Sequence, residues 1–528
     1  MMSSIFHVTI LFSILLHSSL GVKVLDNKFW KETALEDLYE SLKVDYNTNI
    51  AKNVILFIGD GMGPNTVTAA RIYSEGETGY LSWEKFPHLG ASKTYAADKQ
   101  VSDSANTATA LFTGVKVNRG TLGIDPRVKR DDCPRSCLEE NKLTTIATLA
   151  QEAGKSTGII TTTRATHATP AGMFAHCANR DWECDSRIPA GCGCKDIGRQ
   201  LVEDLPGKRF NVIMGGGRQT LMSNTTDLKT DPISKKYCVR TDGRNLIAQW
   251  AEEKRAEGAR YAMPNNTKDL LNIDVSQTDY ILGIFQNSFL PHEYLRDKSD
   301  YGVPSLEQMT TTAINLMMRN QNGFVLMVEG GLIDVAHHAG KARQALEEVL
   351  AFDKAINSTM KLLREAGIAD ETLVIVTSDH SHTLTISGYP DIGNNILGVA
   401  DTSKVDGVPY TTLGYANSGK ANYHYTAVNG TVVREDPSKV DTTSWDYGHQ
   451  AAVLQNENTH GGNDVFIYAT GPFAHLFHRI HEQNYIAVVM RYASRLGEFS
   501  PATSSSSSSS SILSSVILLF AAQLIYLL

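Results

Sequence analysis

The chain has 528 residues, of which 42% are apolar, 20% charged and 8% aromatic. That composition can fill one or more large cores and excludes a disordered polymer, a collagen, a coiled coil and a multi-pass membrane protein. Acidic residues outnumber basic ones 57 to 49, a formal charge of -8; no basic block stands out, which argues against a nucleic-acid partner, and excess acid suits bound cations.

Residues Ile5 to Leu20 form an apolar stretch too short to span a bilayer, followed by small residues, which predicts a secretory signal over 1–21. A buried first element is the alternative. Residues Phe29 to Leu42 space Leu35, Leu38 and Leu42 at helical intervals, predicting an amphipathic helix within an N-terminal arm, 22–50. Short apolar runs then recur: NVILFIG (53–59), STGIITTT (156–163), FNVIMGGG (210–217), DYILGIF (279–285), GFVLMVEGG (323–331) and TLVIVTSDH (372–380). Helical patterns separate them, at Leu143 to Ala153, Ser305 to Arg319 and Arg343 to Glu365. Continuous β-branched runs alternating with helices predict an α/β fold: a doubly wound, mostly parallel central sheet flanked by helices. Chemistry in such sheets collects at the carboxyl ends of the strands. The sheet domain is expected over 51–387 and 453–499, interrupted at 388–452 by a loop-rich insertion of Gly, Asn, Tyr, Thr and Asp without helical period.

At the far end come small residues (Ser500 to Thr503), a serine tract, and an uncharged run from Ile512 to the last residue. That order predicts a GPI-anchor signal over 503–528 with Ala502 as the attachment residue, and so a place on the extracellular face of the plasma membrane. A tail-anchor helix is the alternative. In an exported chain the seven cysteines, all between Cys133 and Cys238, read as disulfides, with zinc ligation as the other use of their Cys-x-Cys spacing. The odd count leaves a thiol free or paired between chains. Sequons at Asn224, Asn265, Asn357 and Asn429 predict glycosylation.

Three strand-like runs end in carboxylates: Asp60 in GDGMG, Glu329 in VEGG, and Asp379 in SDHSH, which adds His380 and His382. A carboxylate buried at a strand end is costly unless a cation compensates it. Asp334 and His338 stand four apart, on one face if a helix begins there. His460 in NTHGGND is a further candidate. Four carboxylates and four histidines suffice for two zinc-like sites and one oxygen-rich site suited to magnesium. Ser104 opens a small-residue helical stretch, where backbone N–H groups and a coordinated cation would favour its alkoxide, although Asp103 or Ser104 also fits an ordinary helix cap. Thr169 offers a hydroxyl ligand, and Arg180 a planar fork for two phosphoryl oxygens. GKS at 154–156 lacks the Walker glycine, since Leu149 stands in its place, and GDGMGP does not match GxGxxG.

From about Asn53 to Pro472, the segments VILFIGDGMG, DSANTATA, TTTRATHATPAG, VEGGLID, TSDHSH and THGGND resemble, in order, the alkaline phosphatase family of the animal, GPI-anchored type. The resemblance implies hydrolysis of small phosphate monoesters at alkaline pH through a phosphoserine on Ser104, with Arg180 as the phosphate clamp. It implies two zinc ions and one magnesium. One zinc would use Asp334, His338 and His460 with His382 beside it, the other Asp60, Asp379, His380 and Ser104. Magnesium would use Asp60, Thr169 and Glu329, with His167 nearby. A homodimer embraced by the N-terminal helix and a crown-like role for the insertion are also implied. The chain departs from its relatives at Val335, where they carry His or Lys near the phosphate. It departs again at a peripheral calcium site, where Phe285 and Asp297 match but Gln286 replaces Glu and 230–232 aligns poorly, so calcium is not expected. A phosphodiesterase on the same scaffold and a non-catalytic binding protein are the rival readings.

Overall fold

The computed structural model describes residues 26–501; the signal segment, the C-terminal tail and Ala502 lie outside the described residues. All six apolar runs are strands of one ten-stranded sheet, which four further strands complete. In chain order its strands are β1 (Asn53–Gly59), β2 (His88–Lys93), β3 (Ser156–Arg164), β4 (Val212–Gly216), β5 (Tyr261–Ala262), β6 (Tyr280–Ile284), β7 (Phe324–Gly330) and β8 (Thr372–Ser378), followed by Val465–Thr470 and Arg479–Glu482. The spatial order is Arg479–Glu482, β2, Val465–Thr470, β8, β1, β7, β3, β4, β6, β5. Only Val465–Thr470 runs against the rest, antiparallel to both β8 and β2.

Alternate side chains of β1 enter opposite layers. Val54, Leu56 and Ile58 pack with Ala105, Leu111, Val489 and Met490 on one face, while Ile55 and Phe57 pack with Met309, Leu346, Val349 and Phe352 on the other. Removal from water of each such aliphatic or aromatic side chain contributes about 1.5–3 kcal/mol, so the continuous strand pattern follows from burial on both faces. The helices are shorter than their sequence periods where caps cut them. Thr145 caps Ile146–Glu152 by accepting from the Thr148 N–H at 3.3 Å. Ser305 and Gln308 close a capping box on Leu306–Met317. The longest helix among the described residues, Ala342–Glu365, lies close to its expected span.

Asn27–Ser41 is helical, but no residue on it is buried, so the expected amphipathic face is open in the single chain; Trp30, Leu35, Leu38 and Tyr39 are all exposed. Between 388 and 452 there is no α-helix. The segment holds two short ribbons, Val399–Thr402 with Pro409–Thr411 and Tyr425–Val428 with Thr431–Arg434. It also contributes Leu413–Ser418 and Ala451–Leu454 to a three-stranded sheet with Leu384–Ile386. Disulfides join Cys133 to Cys192, Cys137 to Cys194 and Cys184 to Cys238, and Cys177 is free and buried. All four sequon asparagines are exposed.

Candidate active site and metal centre

Sheet register alone assembles the carboxylates. Ile58 of β1 pairs with Glu329 of β7 and with Thr377 of β8, so Asp60, Glu329 and Asp379 emerge side by side at one edge. Directly after Asp60 the chain turns at Gly61 (φ +67°), where a Cβ would stand 2.6 Å from the His382 ring; only glycine passes there. Asp334 and His338 share the helix Leu332–His338, and a two-residue antiparallel ladder sets His460 opposite His382.

Ser104 is the first residue of the helix Ser104–Thr113, with Asp103 as its cap. Its buried Oγ lies 3.4 Å from both Asp60 carboxylate oxygens and 3.3 Å from His380 Nε2. Arg180 stands across the opening, its Nη1 donating to Asp103 Oδ2 at 3.0 Å and its Nη2 lying 3.0 Å from His167 Nε2. Burial opposes ionisation of Asp103, but the Arg180 guanidinium and the Gly120 N–H outweigh it and hold the carboxyl below its usual range.

His382 Nε2 is 2.6 Å from Asp334 Oδ1, and His460 Nε2 is 3.4 Å from the same oxygen. His338 Nε2 lies 3.4 Å from Asp334 Oδ2, and His380 Nε2 3.2 Å from Asp379 Oδ2. Donor atoms of Asp334, His338, His382 and His460 fall within 4.8 Å of one another, as do those of Asp60, Asp334 and His380, and those of Asp60, His167 and Glu329. His382, expected beside the first set, thus stands among its donors. The cysteine quartet of 133, 137, 192 and 194 is closed by two disulfides.

The electrostatics of these groups call for cations. Asp60, Glu329 and Asp379 are fully buried; burial raises all three, Asp60 strongly, Glu329 to about 7 and Asp379 to about 6. Burial lowers His380 and takes His382 down to about 4, which keeps both neutral, the form a metal requires. Glu329 Oε1, Thr169 Oγ1 and His380 Nδ1 are buried without a hydrogen-bond partner. Unsatisfied buried acceptors beside uncompensated acids form a donor set that fits bound divalent cations.

Val335 lines the cleft over Ser104 beside His338. At the peripheral position, Asp231 is already engaged by Arg218 and by the Asn287 N–H, both at 2.6 Å, and Asp297 accepts from the Ser299 N–H at 2.9 Å. Sequence reasoning missed two groups. Asn458 Oδ1 faces His382 Nδ1 at 2.7 Å, and its backbone carbonyl faces His338 Nδ1 at 2.7 Å. A buried bidentate pair, Arg164 with Glu183 at 2.8 and 2.7 Å, forms one wall of the cleft. Asn458 stands two residues before His460, and that proximity was the available signal.

Comparison with known proteins gives the class. A family model for alkaline phosphatase matches residues 51–496. The alkaline phosphatase of Gadus morhua is 44% identical over 483 residues, covering 89% of this chain and 98% of that protein. The tissue-nonspecific isozyme of Homo sapiens is 41% identical over 506 residues, covering 93% of each. The solved alkaline phosphatase of Thermus thermophilus shares the fold, with a TM-score of 0.59 at 21% identity over 85% of this chain and 92% of that one. The fold and these relatives define a hydrolase that acts on phosphate monoesters. The chain belongs to the alkaline phosphatase family.

Proposed function

We propose that the protein hydrolyses phosphate monoesters through a phosphoserine formed on Ser104, in a site loaded with two zinc ions and one magnesium. The observation that carries this reading is the convergence of four buried acids and four histidines around Ser104, with Arg180 facing them. Asp334, His338 and His460 would hold one zinc, with His382 beside it, which leaves a position open for a substrate oxygen. Asp60, Asp379, His380 and Ser104 would hold the other, and Asp60, Thr169 and Glu329 the magnesium, with His167 close by. When bound, these cations supply Lewis acidity that favours the Ser104 alkoxide and neutralises charge on the departing oxygen.

Arg180 presents two N–H groups to the phosphoryl oxygens, and Asp103 fixes the plane of that fork. Ser104 Oγ attacks phosphorus in line; the new O–P bond forms as the ester P–O bond breaks, and the alcohol leaves on the opposite side. Water then attacks phosphoserine from the vacated side, releasing phosphate and restoring the hydroxyl. A fork that fills two phosphoryl oxygens leaves little room for a second ester group, which favours monoesters over diesters.

The signal and tail patterns, the four exposed sequons and the three disulfides support a secreted, GPI-anchored enzyme on the outer cell surface. The open face of Asn27–Ser41 supports a homodimer. The 388–452 insertion reads as a crown-like subdomain. A matched chromogenic monoester and bis-ester test the activity: chelator-sensitive turnover of the monoester, restored by zinc and magnesium, is expected. A preference for the bis-ester would overturn it.

A further inference from the structure

The cleft over Ser104 has a volume of about 670 Å³, and its walls carry Arg119, Arg130, Arg164, Arg180 and Lys236. Four of these cations are balanced by acids on the same walls. Arg180 pairs with Asp103 at 3.0 Å, Arg164 with Glu183 at 2.7 Å, Arg130 with Asp181 at 3.1 Å and Lys236 with Glu457 at 3.6 Å. Arg119 is exposed, and among the described residues no carboxylate is within ion-pair contact of its guanidinium, although Asp103 on the same wall feels its charge.

Its backbone is nevertheless fixed to the reacting centre. Arg119 is the second residue of a turn closed by the Thr121 N–H on the Asn118 carbonyl at 3.1 Å, with Gly120 third at φ +80°, as a type II turn requires. The Arg119 N–H donates to Asp98 Oδ1 at 2.8 Å. One residue on, the Gly120 N–H donates to Asp103 Oδ1 at 2.9 Å, and the Gly120 carbonyl accepts from the Arg180 N–H at 2.9 Å. Asp103, which caps the Ser104 helix and orients Arg180, therefore also sets the root of Arg119. Arg130 packs against the same glycine: a Cβ there would lie 3.0 Å from its Cδ and 3.1 Å from its Nη1.

In-line displacement sends the alcohol away from Ser104 and toward the open cleft, whose wall carries this guanidinium with no ion-pair partner. We propose that Arg119 determines specificity at a leaving-group subsite for phosphomonoesters that carry a second anion, a phosphate or a carboxylate, on the alcohol. The proposal rests on the phosphatase reading above. A planar guanidinium suits either anion, and because Arg119 is exposed its pull is screened by salt within about 10 Å at 0.1 M.

The test uses the metal-loaded enzyme and three matched substrates: propyl phosphate, propane-1,3-diol bisphosphate and 3-phosphonooxypropanoate. Arg119→Ala is expected to raise KM for the bisphosphate about 3–10-fold at low salt, with kcat little changed, as for a lost hydrogen-bonded exposed ion pair. Arg119→Glu is expected to raise it further, Arg119→Lys to keep most of the preference, and about 0.5 M salt to remove it by screening. Propyl phosphate, which lacks the second anion, is expected to change less than the bisphosphate in each of these comparisons. The 3-phosphonooxypropanoate arm decides whether carboxylate as well as phosphate is read. Equal changes in KM for propyl phosphate and the bisphosphate, or no change for either substrate that carries a second anionic group, would overturn the proposal. Failure of the wild-type enzyme to hydrolyse propyl phosphate would count against the phosphatase reading instead.

Discussion

His382 points its Nδ1 at Asn458 Oδ1 from 2.7 Å, and this bond decides which ring nitrogen meets Asp334. An amide oxygen can only accept, so Nδ1 carries the proton and Nε2 presents its lone pair, 2.6 Å from Asp334 Oδ1. The Asn458 backbone carbonyl does the same for His338, and the Ser102 carbonyl for His460 at 2.8 Å. Such outer partners set tautomer and ring plane, and their loss costs about 10–100-fold in metal affinity. Asn458→Ala is expected to weaken zinc binding by that order, and Asn458→Asp, which keeps the acceptor for His382 but loses the Nδ2 donor to Thr383 Oγ1 and the Asn417 carbonyl, to restore only part of it. Competition with a chelating dye measures this; unchanged affinity in Asn458→Ala would refute it.

On the proposed mechanism Arg180 would act by shape as well as by charge. Arg180→Lys keeps the cation but loses the fork held by Asp103, and about 10²-fold in kcat/KM should disappear with it. Steady-state kinetics on a chromogenic monoester provide the check, and a loss under about threefold would show that the fork is not used.

The cleft wall depends on the pair between Arg164 and Glu183, both nearly inaccessible to solvent. Arg164→Met would leave a buried carboxylate without its partner, a loss of about 3–5 kcal/mol. A fall of several degrees in the thermal midpoint is expected by calorimetry. A midpoint equal to the wild type would show that the pair contributes nothing net.

Far from the cleft, burial first, and then the neighbouring His478 and His475, push His88 down from 6.5 to about 4. Between those values the unfolded chain binds a proton that the folded chain refuses, so the wild type loses stability as pH falls from 6.5 to 4. His88→Gln removes that penalty. The midpoint difference between variant and wild type should be constant above about pH 7, grow in the variant's favour down to about pH 4, and then level off. A difference independent of pH would contradict the assignment.

The central strands were legible because burial on both faces demands unbroken apolar runs, as in β1, β7 and β8. His88–Lys93 was not, since HLGASK alternates between buried and exposed positions and holds Gly, Ser and Lys. Arg479–Glu482 is a short, largely exposed edge strand and carries the same weak signal. At the site, acids at strand ends could be found by position alone, because their burial cost implies a partner. For Asn458 position gave only its nearness to His460; its role lies in contacts with His382 and His338, brought together by the ladder of His460 and Gly461 with His382 and Ser381. The Arg164 and Glu183 pair was hidden likewise: each is an unremarkable polar residue until the fold removes both from water.

The most direct measurement is mass spectrometry of the Ser104 peptide after acid quenching during turnover of a phosphomonoester. The account predicts one phosphoryl group on Ser104 in the metal-loaded enzyme and none in Ser104→Ala, which should also lose nearly all turnover. Phosphate on another residue, or full turnover by Ser104→Ala, would contradict it.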